Sequence, residues 1–138
     1  DRGRGEAVYA GLDCVRCHTM GSRGGIVGPP LDDIGARRSA AHLREALLAP
    51  EASVPRGFLQ LRVVTRDGRV FNGIRVNEDG FSIQFRDLSG RVHSFWKDEL
   101  ELFEHQWRRS PMPSYDGRLN AAQTDDLVAY LVSLVGAP

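Results

Sequence analysis

Lysine is almost missing from this chain: of 18 basic residues, 17 are arginine and Lys97 stands alone. Cysteine is confined to Cys14 and Cys17, and methionine to Met20 and Met112. Net charge is absent too, with 18 basic residues set against 18 acidic ones. That balance argues against nucleic acid as a partner, because phosphate binding needs an excess or a segregated stripe of cations. No stripe exists, since residues 1–57 carry eight arginines and seven acidic residues. A membrane span is also lacking: the longest apolar run, Leu127 to Val135, reaches only about half the required length. No start methionine or signal peptide is seen, which reads as a mature or excised fragment. What is present is the composition of a folded protein, 138 residues with 41% hydrophobic and 26% charged side chains.

The two cysteines lie three apart, in Cys14-Val15-Arg16-Cys17, and His18 follows directly. A zinc site would need a second ligand pair, which the sequence does not contain. A thioredoxin-type dithiol belongs where a strand meets a helix in a β-α-β pattern, and no strand precedes Cys14. Two inert thiols beside a surface histidine is the plain reading. Cys-x-x-Cys-His is also the attachment sequence for c-type haem. There the two thiols add to the two vinyl groups of one haem, and the adjacent imidazole reaches the iron.

Apolar periodicity predicts three helices. Gly5 to Leu12 carries Val8, Tyr9 and Leu12 on one face. Ser39 caps a segment from Ala40 to Leu48, which Pro50 ends. Asn120 caps a segment bearing Leu127, Tyr130, Leu131, Leu134 and Val135, which Gly136 stops. Between Gly57 and Trp96 the period changes to two: Leu59, Leu61 and Val63 alternate with polar residues, as do Phe81, Ile83 and Phe85. Asp67-Gly68, Asp79-Gly80 and Ser89-Gly90 mark turns between strands at about 58–66, 69–76, 81–87 and 91–96.

Several segments, in order, resemble a class I cytochrome c: Gly5-x-x-x-Tyr9, Cys14-x-x-Cys17-His18, Gly28-Pro29-Pro30-Leu31, Ser110-Pro111-Met112-Pro113 and Asp126-Leu127-x-x-Tyr130-Leu131. The resemblance implies terminal helices that cross at Gly5 beside Tyr130, one covalent haem c held by Cys14 and Cys17, and His18 as the proximal iron ligand. It further implies that the Pro29 carbonyl accepts a hydrogen bond from the His18 ring, and that Met112 is the distal ligand. Two prolines hold Met112 on a stiff extended loop, and its thioether suits low-valent iron. Met20 lies too close to His18 in the chain to reach the opposite face. His42, His93 and His105 are rivals for the distal position, with His105 only seven residues from Met112. Arg37, Arg38 and Trp107 are candidate donors to the haem propionates.

The expected fold is therefore mainly α: a cytochrome c haem domain from residues 1–57 and 97–138, interrupted at 58–96 by a four-stranded antiparallel β meander. Such an insert is similar to that of the haem-binding cytochrome modules of planctomycete, verrucomicrobial and acidobacterial proteins, which often end a longer chain with a dehydrogenase-like domain. Met20 and the glycine-rich stretch from Gly21 to Gly28 depart from that pattern. Trp96, Phe103 and Trp107 are expected to cluster and join the insert to the haem pocket. The implied function is one-electron transfer, not enzymatic turnover, with a redox protein or a fused dehydrogenase domain as partner and no membrane span. An open-site haem protein, a gas sensor or peroxidase-like, is the alternative if Met112 is not a permanent ligand. Covalent haem is assembled on the oxidising side of a bacterial membrane, which implies a periplasmic or extracellular location.

Overall fold

Residues 1–136 are described by the computed structural model. They fall into two units: one built from residues 1–52 and from Met112 onward, the other from Ser53–Pro111.

The first unit is helical. Helix α1 (Arg2–Gly11) is capped by the Asp1 side chain. A single 3-10 turn (Cys14–Arg16) follows it, then a small hairpin of β1 (Thr19–Met20) and β2 (Arg23–Gly24). Short helix α2 (Ile34–Arg37) precedes α3 (Ala40–Leu48), which the Ser39 side chain caps. Helix α4 (Ala121–Val132) starts with a reciprocal capping box between Asn120 and Gln123. Its buried stripe of Leu127, Val128, Tyr130 and Leu131 meets Tyr9, Leu31, Ile34, Leu43, Leu47 and Tyr115 in one core.

Gly5 is where α1 and α4 approach most closely. A Cβ there would lie 1.9 Å from the Asp126 carbonyl oxygen and 2.7 Å from Tyr130 Cβ, so only glycine fits. Tyr9, one turn further on, packs its ring 5.5 Å from that of Tyr130. Asp126 is buried beside this crossing and accepts from Arg4 Nε at 2.7 Å, which anchors the start of α1 to α4.

The second unit overturns the expected mainly α class. The protein is 32% helical and 27% strand, and its larger sheet has five antiparallel strands, not four. Strands β3 (Gln60–Thr65), β4 (Val70–Glu78), β5 (Ser82–Asp87) and β6 (Val92–Trp96) overlap the four period-two segments. The addition is β7 (Leu100–Gln106), which pairs with β3 to give the order β6-β5-β4-β3-β7. Its pattern is hidden because the register with β3 slips between Val64 and Thr65. Leu100 and Phe103, three residues apart, consequently both join the sheet's core, which a strict period of two forbids.

Leu61, Val63, Ile83 and Phe85 in that core are fully buried. The sheet achieves this by curling. Lys97, directly after β6, reaches Glu78 on β4 with Nζ at 2.8 Å and stacks 5.0 Å over the ring of Phe103 on the opposite edge strand. His105 Nε2 completes the closure 2.9 Å from Glu78. The expected cluster of Trp96, Phe103 and Trp107 does not form: Phe103 packs against the core, while Trp96 and Trp107 are 58% and 65% exposed. Trp96 sits opposite Ser82 in the register, on the face away from Ile83 and Phe85.

Candidate functional site

The Cys-x-x-Cys-His segment forms one tight coil. Asp13, with a left-handed φ of 57°, redirects the chain out of α1, and its carbonyl accepts from Arg16 N at 2.9 Å. The Cys14 carbonyl then accepts from both Cys17 N at 3.2 Å and His18 N at 3.0 Å. This puts Cys14 inward, against the core of the first unit, and leaves Cys17 exposed. Burial pushes the Cys14 thiol up, opposed by the Tyr115 hydroxyl that faces it.

The glycine-rich stretch wraps this coil closely. Gly25 N donates to the Val15 carbonyl and Gly28 N to the Cys17 carbonyl, each at 2.8 Å. A Cβ on Gly25 would lie 2.0 Å from the Arg16 carbonyl oxygen. One on Gly24, where φ is +110°, would lie 2.1 Å from the His18 carbonyl oxygen. At Gly28 the neighbour is the imidazole itself, with Cε1 only 2.6 Å from where the Cβ would be. Gly24 and Gly25 in the stretch that departs from the family pattern are thus demanded by close backbone approach, and Gly28 by the imidazole.

His18 is fixed from a second side. Its Nδ1 lies 2.7 Å from the Pro29 carbonyl oxygen, and a carbonyl only accepts, so Nδ1 carries the proton and Nε2 keeps its lone pair. Burial lowers the imidazole pKa, with the Pro29 contact opposing, and this favours the neutral ring that a metal ligand requires.

The other sequence candidates fall into three groups. Met112 is half-buried against the core that also holds Cys14. Met20 packs there too, and its sulfur accepts from the Tyr130 hydroxyl at 3.6 Å. Arg37 is exposed, pairs with Asp33, and donates from Nη2 to the Pro30 carbonyl at 2.7 Å; it braces the Pro29-Pro30 turn. Arg38 is exposed and donates to the Arg37 carbonyl. Trp107 belongs to the second unit, where its ring stacks 4.9 Å from that of His105. Among the rival histidines, His105 is engaged with Glu78 and His93 with Asp87. His42 sits in the first turn of α3. Among the described residues, no three His, Cys, Asp or Glu side chains converge as a metal cluster.

A model of the cytochrome c family matches residues 3–71, half of the chain. The chain belongs to the cytochrome c family. As a cytochrome c it is a haem-binding protein of electron transport. The match spans α1, the Cys-x-x-Cys-His coil and the Gly28-Pro29 turn, and it ends before Met112. No curated protein matches the chain.

The residues present fit a haem. A neutral imidazole has its outer nitrogen available, two thiols lie within the same coil, and the flat face of Gly28 holds the ring in place. Tyr9 and Tyr115 pack in the same core as Cys14. The sequence signal for Tyr115 is its place three residues after Met112.

Proposed function

We propose that this cytochrome c carries one haem c, joined by thioether bonds to Cys14 and Cys17, and works as a one-electron carrier. In this reading His18 and Met112 would hold its iron. When bound, the haem iron supplies a one-electron couple whose potential Met/His ligation raises. The contact that carries the reading is His18 Nδ1 to the Pro29 carbonyl at 2.7 Å, because it leaves the lone pair of the other ring nitrogen for a metal.

Each residue has a distinct task. Cys14 and Cys17 would tether the group, Gly28 and Pro29 orient the imidazole, and Met112 would hold the iron together with His18, so that no site is left for a substrate. Arg37 and Arg38 are the proposed donors to the propionates. The first unit serves as the haem domain, and the second is a β subdomain inserted before the Met112 loop, as in the planctomycete-type modules. The partner is a redox protein or a fused dehydrogenase domain, on the periplasmic or extracellular side.

A pyridine haemochrome spectrum tests the cofactor: after expression with haem-maturation machinery, covalent haem is expected, and its absence ends the reading. The near-infrared charge-transfer band of the oxidised protein tests the ligand. It is expected in the wild type and lost in Met112→Ala. A wild type without that band is the open-site haem protein instead.

A further inference from the structure

The core of the first unit holds three tyrosines, Tyr9, Tyr115 and Tyr130, each nine-tenths buried or more. A buried phenol hydroxyl needs a partner, because leaving a polar group desolvated and unpaired is costly. Tyr130 has one in the sulfur of Met20, at 3.6 Å. The Tyr115 hydroxyl faces the Cys14 thiol. Tyr9 has none: its hydroxyl is buried and no atom of the described chain accepts from it. Phenylalanine would fill the same space in α1 without that cost. The acceptor that satisfies Tyr9 therefore comes from outside the polypeptide.

We propose that the Tyr9 hydroxyl is a hydrogen-bond donor to the bound haem. The haem would bring acceptors of its own, two propionate carboxylates and the thioether sulfurs formed at the cysteines. Cys14, one of those attachment points, packs in the same cluster as Tyr9. Tyr9 is then a binding residue of the site and not merely a filler between α1 and α4. Donation to the cofactor's periphery withdraws electron density and favours the reduced form, so the hydroxyl raises the reduction potential. The inference rests on the haem reading, and the experiment separates the two.

The test uses the haem-loaded full chain. A protein without covalent haem in the haemochrome spectrum removes the proposed function itself. With haem attached, proton NMR of the reduced protein is expected to show the Tyr9 hydroxyl proton in slow exchange, with contacts to haem protons. Tyr9→Phe is expected to lose that resonance and to shift the midpoint potential downward at unchanged haem content. Tyr130→Phe, whose hydroxyl has its acceptor in Met20, is the comparison. A Tyr9 hydroxyl whose contacts are only to a bound water or to a protein acceptor overturns the proposal. So does a Tyr9→Phe protein with the wild-type potential. The NMR measurement needs no variant, so it decides the matter even where a substituted chain misfolds.

Discussion

Gly28 lies flat against the imidazole of His18, so close that a Cβ at position 28 would come within 2.6 Å of Cε1 and 2.8 Å of Nδ1. The same ring donates a hydrogen bond from Nδ1 to the carbonyl of Pro29, the residue after Gly28. One dipeptide therefore sets both the tilt and the protonated nitrogen of the proposed ligand. Gly28→Ala forces the ring to move and breaks the Nδ1–carbonyl contact. The cost of such overpacking is about 1–3 kcal/mol. Denaturant titration should show that loss, and visible spectra of the loaded protein should show weakened axial ligation.

The helix crossing at Gly5 is less forgiving, because the obstacle is backbone. A methyl group there meets the Asp126 carbonyl oxygen at 1.9 Å, and neither α1 nor α4 can yield without separating. Gly5→Ala should cost about 3 kcal/mol or more. Guanidinium unfolding of the two proteins side by side measures it.

Acid sensitivity of the β unit centres on Glu78. Burial pushes its carboxyl up, but donors from His105, Lys97 and Arg75 outweigh that and hold it at about 2, against an ordinary 4.5. A carboxylate held below its unfolded value stabilises the fold while ionised. That contribution is complete above 4.5 and disappears as pH falls toward 2. Glu78→Gln should therefore lower the melting temperature by a constant amount at neutral pH. The gap between variant and wild type should close on acidification across this window. A gap that does not change with pH would show that the ion cluster contributes only packing.

Asn120 gives a local test of α4. Its side chain accepts from Gln123 N at 2.8 Å, and the Gln123 side chain returns the bond to Asn120 N at 3.0 Å. Asn120→Ala removes the cap and should cost about 1 kcal/mol. Amide hydrogen exchange should show the loss first in the opening turn of α4.

The strands teach where sequence patterning stops. Period two is visible in β3 and β5 because Leu59, Leu61 and Val63 alternate with Gln60 and Arg62, and Ile83 and Phe85 with Ser82, Gln84 and Arg86. In β7 the extra residue opposite the Val64–Thr65 step moves Leu100 and Phe103 onto the same face. A bulge is a property of two paired strands, so one strand's sequence does not display it. The mainly α expectation failed because strand occupies nearly as much of the protein as helix, and β7 adds a fifth strand to the sheet.

Some features needed only neighbours in the chain. Cys14, Cys17 and His18 are adjacent, so their shared chemistry and its cofactor class were readable directly. Caps at Ser39 and Asn120 and the alternation of β3 and β5 were readable for the same reason: the forces that set them act within a few residues. Tertiary structure decided the rest. The need for glycine at 24, 25 and 28, the bracing of the Pro29-Pro30 turn by Arg37, the engagement of His105 with Glu78 and the unpartnered hydroxyl of Tyr9 all depend on contacts that only the folded chain brings together. Such contacts depend on shape and on hydrogen-bond geometry at a few ångströms, and a linear pattern carries neither.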